Sequence, residues 1–406
     1  MKKIIIAFIT IELMLLINPY NVMNNTSIAV KNNVSDQSER TSEIMNKQKD
    51  NLNISEFIKE SEKYTKESMP DLDLNNLLAS SIKGNIDNVK LSRFILSLLG
   101  KELMNSATVL SSIIVIVVIH GILKSISDGL GNTSVSQVTY YVQYILIVAL
   151  VMTSFADVIT MVKEAIQNLV AFINLLVPIL ITLMITTGSI ASAGMLQPII
   201  LFMITIIGNF IVNVIIPIAL VSTALGIISQ ISDRVQIDKL AKFFKSGTVW
   251  VLGVILTLFV GVASLEGSLS SSVDGVTAKT AKAAVSNFIP VVGKILGDAV
   301  DTVMGCSIIL KNALGVVGVI IIVGICIVPI IKLVTLMAMY YIGAALCQPI
   351  ADPKIVKLLS NMGDTFKLLL AVLSGVSVML IIGVTLIIKI SNTGSMYGWG
   401  DALWLL

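Results

Sequence analysis

Four aspartates, Asp157, Asp298, Asp301 and Asp364, lie beside long apolar segments. A pair of them held at mid-membrane could activate a water molecule for hydrolysis. All four fall at the predicted ends of membrane spans, where acidic residues are ordinary, so an intramembrane hydrolase would need Asp298 and Asp364 to meet. The single histidine, His120, ends an apolar run with no thiol or carboxylate near it in sequence, and one imidazole does not make a metal site. Cys306, Cys326 and Cys347 sit in apolar C-terminal segments without metal-ligand spacing and read as small packing residues. No phosphate-binding loop, dinucleotide fingerprint, zinc-protease helix or nucleophile elbow occurs. The residues predict no catalytic, cofactor-binding or metal-binding site, and no enzyme.

The polar residues that remain inside apolar segments have structural readings. Lys311 and Lys332 are placed to snorkel to an interface. The amides Asn174, Asn209 and Asn213 are placed to bond neighbouring helices.

What must position these residues follows from composition. The chain has 406 residues, 55% of them hydrophobic and 13% charged. Soluble domains carry about 25% charged residues, so half that proportion indicates an integral membrane protein whose first partner is the lipid bilayer. A net charge of +3 without a basic patch predicts no nucleic-acid partner. The expected fold is all-α: a polytopic helical membrane protein of about 7–9 membrane helices with proline-broken segments, preceded by a small helical extracytoplasmic domain.

Residues 1–29 read as a signal peptide, with Lys2 and Lys3 ahead of the apolar run Ile4–Ile17, although Glu12 interrupts that run. An uncleaved anchor is the other reading. Residues 30–69 are polar and resist a packed core, which suggests partial disorder. Residues 70–105 carry two amphipathic stripes, Leu74, Leu77, Leu78 and Ile82, then Ile86, Val89, Phe94, Leu98 and Leu99, and predict short extracytoplasmic helices. Residues 106–390 form the multi-span domain, and 391–406 a tail.

Within the membrane domain, apolar segments fall at 107–123, 138–155, 169–187, 196–228, 248–265, 307–328, 333–347 and 365–390. The 196–228 segment is too long for one perpendicular span, so it must tilt, kink at Pro217 or fold as a hairpin near Asn209 and Asn213. Pro329 poses the same question for its segment. Pro178 and Pro290 are separated by the same offset as Pro217 and Pro329, which allows an internal repeat of about 138–230 on about 250–347. Coincidence among nine prolines is the alternative.

The stretch Lys242–Asp301 is the least ordinary. A clean span, 248–265, leads into a segment of Ser, Ala, Gly, Thr and Val that is too polar for lipid and too apolar for a loop. Leu265, Leu269, Val273 and Val276 form one stripe, with Ser268, Ser271, Ser272 and Asp274 opposite, and Ser270 and Asp274 are candidate packing or path-lining residues. An interfacial helix is one reading of that strip and a path lining the other. Beyond it, Pro290 with Gly293, Lys294, Gly297 and Asp298 could form a re-entrant element, which only protein or water can cover.

The blocks KLAKFFKSGTVWVLGVILTLFVGVASLEG (239–267), SSSVDGVTAKTAK (270–282), FIPVVGKILGDAVDTV (288–303), LKNALGVVGV (310–319), VKEAIQNLVAFINLLVPIL (162–180) and YYIGAALCQPIAD (340–352) occur in order, and the chain resembles the stage III sporulation protein AE family of endospore-forming Firmicutes. The resemblance covers roughly 72–390. It implies a non-enzymatic membrane subunit of the channel or feeding-tube apparatus between mother cell and forespore, required for endospore formation and late forespore gene expression. It also implies a multi-pass protein of the mother-cell membrane around the forespore, an extracytoplasmic N-terminal domain, and partners among the other stage III sporulation membrane proteins. A homo-oligomer is compatible with it. The family offers no catalytic residues to carry over. A stand-alone secondary transporter is the rival reading, supported by the repeat and the midplane asparagines.

Overall fold

The computed structural model describes residues 38–66, 69, 73–83, 100, 104, 107–108, 110–119, 121–122, 133–230, 237–288 and 292–396. Side chains are described for these except at 38–42, 133–137, 139, 196, 266–288, 292–301 and 390–396. Among the described residues all regular structure is helical, as the composition predicts: α1 (Ser38–Asn51), α2 (Ile54–Thr65), α3 (Leu74–Lys83), a short apolar α4 (Leu110–Ile119), α5 (Thr133–Thr186), α6 (Ile190–Phe210), a π-helical turn (Ile211–Ile215), α7 (Ile216–Ile228), α8 (Asp238–Phe288), α9 (Val292–Cys347) and α10 (Pro353–Met396). Five of these runs are long and apolar enough to cross a membrane, with α6, the π turn and α7 counted as one. The protein is a polytopic all-α membrane protein.

The helices are longer than the apolar segments suggested. The segments 138–155 and 169–187 are one helix of 54 residues, about 80 Å at 1.5 Å per residue. Likewise 307–328 and 333–347 are one helix, α9, which runs on through Pro329. The hairpin at Asn209 and Asn213 does not form, because the chain continues as helix from Ile190 to Ile228. Pro217 has no N–H, and its ring crowds the carbonyl four residues back. The π turn relieves this one residue earlier: the Ile216 N–H reaches Ile211 O, five residues back. Downstream of the 248–265 span there is no break either, since α8 is continuous to Phe288.

Local sequence explains the ends. α5 closes with Gly188 at φ 84°. The Gly188 N–H bonds Ile185 O and the Ser189 N–H bonds Met184 O, the paired bonds that turn a chain back after a helix. α3 begins at Asp73, whose carboxylate accepts the backbone N–H groups of Asn75 and Asn76 at 2.9 and 3.1 Å. α10 begins the same way: Asp352 accepts the Lys354 N–H at 3.0 Å, and Pro353 occupies the first helical position, where no N–H is needed.

α9 and α10 pack along one another at the centre, and α10 is buried on nearly all sides. α5, α6–α7 and α8 surround them. The segment 30–69, read from composition as lacking a packed core, holds α1 and α2. Ile54, Phe57 and Ile58 of α2 recur at i, i+3 and i+4 and are buried against the bundle, with the Phe57 and Tyr64 rings 6.2 and 6.1 Å from that of Phe172. On α1, exposed Glu43 pairs with Lys47 at 2.8 Å, which holds its carboxyl below the usual range. A depressed acid of this kind supports the helix at neutral pH, and the support is lost as pH falls through its folded pKa.

Candidate functional surface

Ser270 and Asp274 lie on α8, and Gly293, Lys294, Gly297 and Asp298 on the first turns of α9, all at positions whose side chains are not described. Pro290 and His120 lie outside the described residues. Pro217 follows the π turn whereas Pro329 is buried inside an uninterrupted α-helix, so the two prolines do not share a local structure. Asn209 and Asn213 are exposed on the outer side of α6 and the π turn, and Asn174 is exposed on α5. These amides face outward, and do not tie neighbouring helices as their sequence positions suggested.

Contacts between helices set residues of different elements at a common height. Val170 of α5 lies against Gly208 of α6. The Ser222 hydroxyl donates to Ala241 O at 2.8 Å, and Thr223 meets Thr365 at 3.2 Å. Leu252 and Leu256 lie over Gly375, Phe259 over Gly383, Leu176 beside Gly318 and Ile388 beside Gly315. Charges then align. Lys245 pairs with Asp364 at 3.7 Å, and the Tyr341 hydroxyl donates to the same carboxylate at 2.6 Å. On one side of this level, residues 246–265, 312–331 and 368–388 carry no charge. Each is about 30 Å long as a helix, the thickness of a bilayer's hydrocarbon core.

At that depth the bundle has two unlike outer faces. α6 and α8 expose bulky apolar groups, including Phe202 at 67% and Trp250 at 71%, with Ile206, Val254 and Leu258. α5 exposes Asp157, Thr160, Glu164, Gln167 with Asn168, Ala171 and Asn174, successive turns of one side, while Val158, Val162, Ile166, Leu169 and Ile173 face the core. Beside it, α2 turns Glu56, Lys59, Glu62, Lys63 and Lys66 outward. Its height is fixed where Thr65 and Met69 lie over Gly324, in the middle of the charge-free part of α9. Sequence windows that average all residues of a segment hid the α5 stripe. Its i, i+3, i+4 spacing was the available signal.

Lys311 was also misread. It does not snorkel: it is 0% exposed, and its Nζ donates to Ile388 O of α10 at 3.1 Å. At the other end of the bundle, Tyr144 and Tyr140 of α5 donate their hydroxyls to Ile227 O and Gln230 O at 2.6 and 3.0 Å. Ile227 lies in the last turn of α7, and its carbonyl also accepts the Gln230 N–H at 3.1 Å, so Tyr144 supplies a second donor. Tyr144→Phe should therefore cost about 0.5–1.5 kcal/mol by removing one of two hydrogen bonds to this carbonyl, read as a lowered unfolding midpoint of the purified protein; an unchanged midpoint would show that the Gln230 N–H alone satisfies it. Among the described residues no group of three or more His, Cys, Asp or Glu side chains gathers as a metal site.

Comparison with known proteins covers most of this architecture. The sequence model of a family described as stage III sporulation protein AE matches residues 72–391. The stage III sporulation protein AE of Bacillus subtilis (strain 168) is 33% identical over 300 residues, spanning 74% of this chain and 75% of that protein. No solved structure matches.

Proposed function

The chain belongs to the stage III sporulation protein AE family, and from that premise we propose that it is a non-catalytic membrane subunit of the apparatus joining mother cell and forespore during endospore formation. The observation that carries this reading is the family match across 72–391, which takes in the whole bundle from α3 to α10. The fold suits a subunit better than a self-contained pump. α9 and α10 are sealed against one another, while α5 and α2 present a polar side that a lone chain would leave uncovered in lipid. On this reading the protein resides in the mother-cell membrane around the forespore. The N-terminal segment through α1 lies on the intermembrane side, with α2 reaching to membrane depth, and the protein works with other stage III sporulation membrane proteins. The segment around Ser270, Asp274, Gly293, Lys294, Gly297 and Asp298 is proposed as a packing or path-lining region for those partners.

A stand-alone secondary transporter fits less well. Such sites are built from broken helices at the midplane, whereas α5 and α9 continue through Pro178 and Pro329.

The test is removal of the protein from its sporulating host, with recovery by an affinity-tagged full-length copy. Heat-resistant spores should fall to background without it, and the tagged copy should bring down other sporulation membrane proteins from solubilised membranes. Normal spore yield in the deletion strain, or specific solute uptake by the purified protein alone in liposomes, would overturn the reading.

A further inference from the structure

We propose that the outer side formed by α2 and α5 is one wall of a water-filled passage at membrane depth, with the opposite side of α6 and α8 facing lipid. The inference deepens the functional reading by naming a surface and its occupant. It rests on the shape and chemistry of the bundle, so it stands or falls apart from the role in sporulation.

Depth comes first. The charge-free parts of α8, α9 and α10 lie side by side, held by Phe259 over Gly383, Leu252 over Gly375 and Ile388 beside Gly315. The polar wall lies at the same height. Val170 against Gly208 places Gln167, Asn168 and Asn174 level with exposed Phe202, Ile206 and Phe210 on the next helix. Thr65 over Gly324 places α2 level with the middle of the charge-free part of α9.

Magnitude then excludes lipid as the occupant of this wall. An ionised side chain at the bilayer centre costs about 3 kcal/mol on insertion scales. Five outward charges on α2, namely Glu56, Lys59, Glu62, Lys63 and Lys66, would together cost on the order of 15 kcal/mol, comparable with the whole stability of a domain. Ionisable groups at membrane depth face protein or a water-filled cavity. Of those two, water fits. The wall is made of Lys, Glu, Asp, Asn, Gln and Thr with both signs of charge intermixed, and Lys, Glu and Asp are depleted where proteins bury one another. Between 156 and 174 the bulky apolar residues of α5 turn to the core, as do those of α2, with Phe57 and Tyr64 closed over Phe172; the exposed Tyr141, Ile145, Leu146 and Met152 lie nearer the start of α5. Along 156–174 no exposed aromatic or bulky aliphatic residue stands as an anchor for a dry interface.

Cysteine reactivity tests this in the full-length protein, because Cys306, Cys326 and Cys347 are buried and contribute little background. Single variants Lys63→Cys, Gln167→Cys, Asn168→Cys and Asn174→Cys sample the wall, and Phe202→Cys, Ile206→Cys and Trp250→Cys sample the opposite side. Freeze–thawed membranes from sporulating cells are treated with a membrane-impermeant maleimide, and each site is normalised to its labelling in SDS. Only a thiol that can ionise in water reacts, so wall sites should label at least ~10-fold faster than sites opposite. Equal labelling of both sides would place this height outside the bilayer and overturn the proposal. Protection of both sides would overturn it too, in favour of a wall covered by protein or lipid. Should one wall variant fail to accumulate, Lys59→Cys and Thr160→Cys sample the same side.

Discussion

Gly383→Leu should prevent α8 and α10 from closing, with loss of folded protein, while Gly261→Leu on the facing helix should be tolerated. A Cβ at Gly383 would lie 3.2 Å from Phe259 Cζ, and Phe259 is wholly buried, so its ring has nowhere to turn. One turn-pair earlier, a Cβ at Gly375 would meet Leu252 and Leu256 at 3.4 and 3.5 Å, so the two glycines form a seam along which the helices touch. Lipid tails are as apolar as leucine, so helices in a membrane associate through close packing of small residues more than by hydrophobic expulsion. Overpacking a filled core costs about 1–3 kcal/mol even in soluble proteins, and here a branched side chain would enter against an immobile ring. Gly383→Ala adds one atom that the ring must yield to by tenths of an ångström, and its effect should be small. Gly261 has open space where its Cβ would stand. Detergent-solubilised protein followed by thermal unfolding separates these cases, and the Phe259→Ala change should rescue Gly383→Leu by removing the ring. If Gly383→Leu unfolds at the wild-type midpoint, the seam is not where these helices are held.

The glycine seam was invisible in one dimension, and the reason is general to this chain. Hydropathy marks where a chain can enter lipid, and it marked the apolar segments 307–328, 333–347 and 365–390. It says nothing about which side of a helix meets which neighbour. Asp157, Glu164, Gln167 and Asn168 looked like a polar link between two spans because a window averages around the helix. In the fold they share one side of an unbroken α5. Ile54, Phe57 and Ile58 stand in a polar segment, yet three residues at helical spacing suffice to seat α2 on Phe172. Prolines misled in the opposite direction. Pro329 removes one N–H but does not end α9, since packing against α10 and α3 outweighs a single lost bond. In the stretch oddest by composition, residues 266–288 continue α8 and 292–301 open α9.

Lys311→Glu should be among the most damaging single changes in the protein at neutral pH, and Lys311→Met among the mildest at a fully buried position. Lys311 combines complete burial with a 3.1 Å bond from Nζ to Ile388 O, so its stem fills the seam between α9 and α10 while its amine meets a carbonyl. An ionised glutamate there would be stripped of water and would set its oxygens against the oxygen of Ile388, an acceptor facing an acceptor. The carboxyl escapes only by keeping its proton. With an ordinary value near 4.3, holding that proton at pH 7 costs about 4 kcal/mol relative to the unfolded chain. The sign follows from the folded state binding the extra proton: stability of the variant should rise as pH falls from 7 towards 5 and drop further above 7. Methionine keeps the length of the stem, carries no charge to desolvate, and leaves Ile388 O with its place inside the α10 ladder, which runs on to Met396. Replacing a buried ionic group by an apolar one of similar volume is often neutral or stabilising. Lys311→Ala tests the stem separately, since an emptied site of this size costs about 2–5 kcal/mol. Unfolding midpoints of the three purified variants at pH 5 and pH 7 give the comparison. Glutamate behaving like methionine at both pH values would mean that Lys311 reaches water, and that α9 and α10 are not sealed at this level.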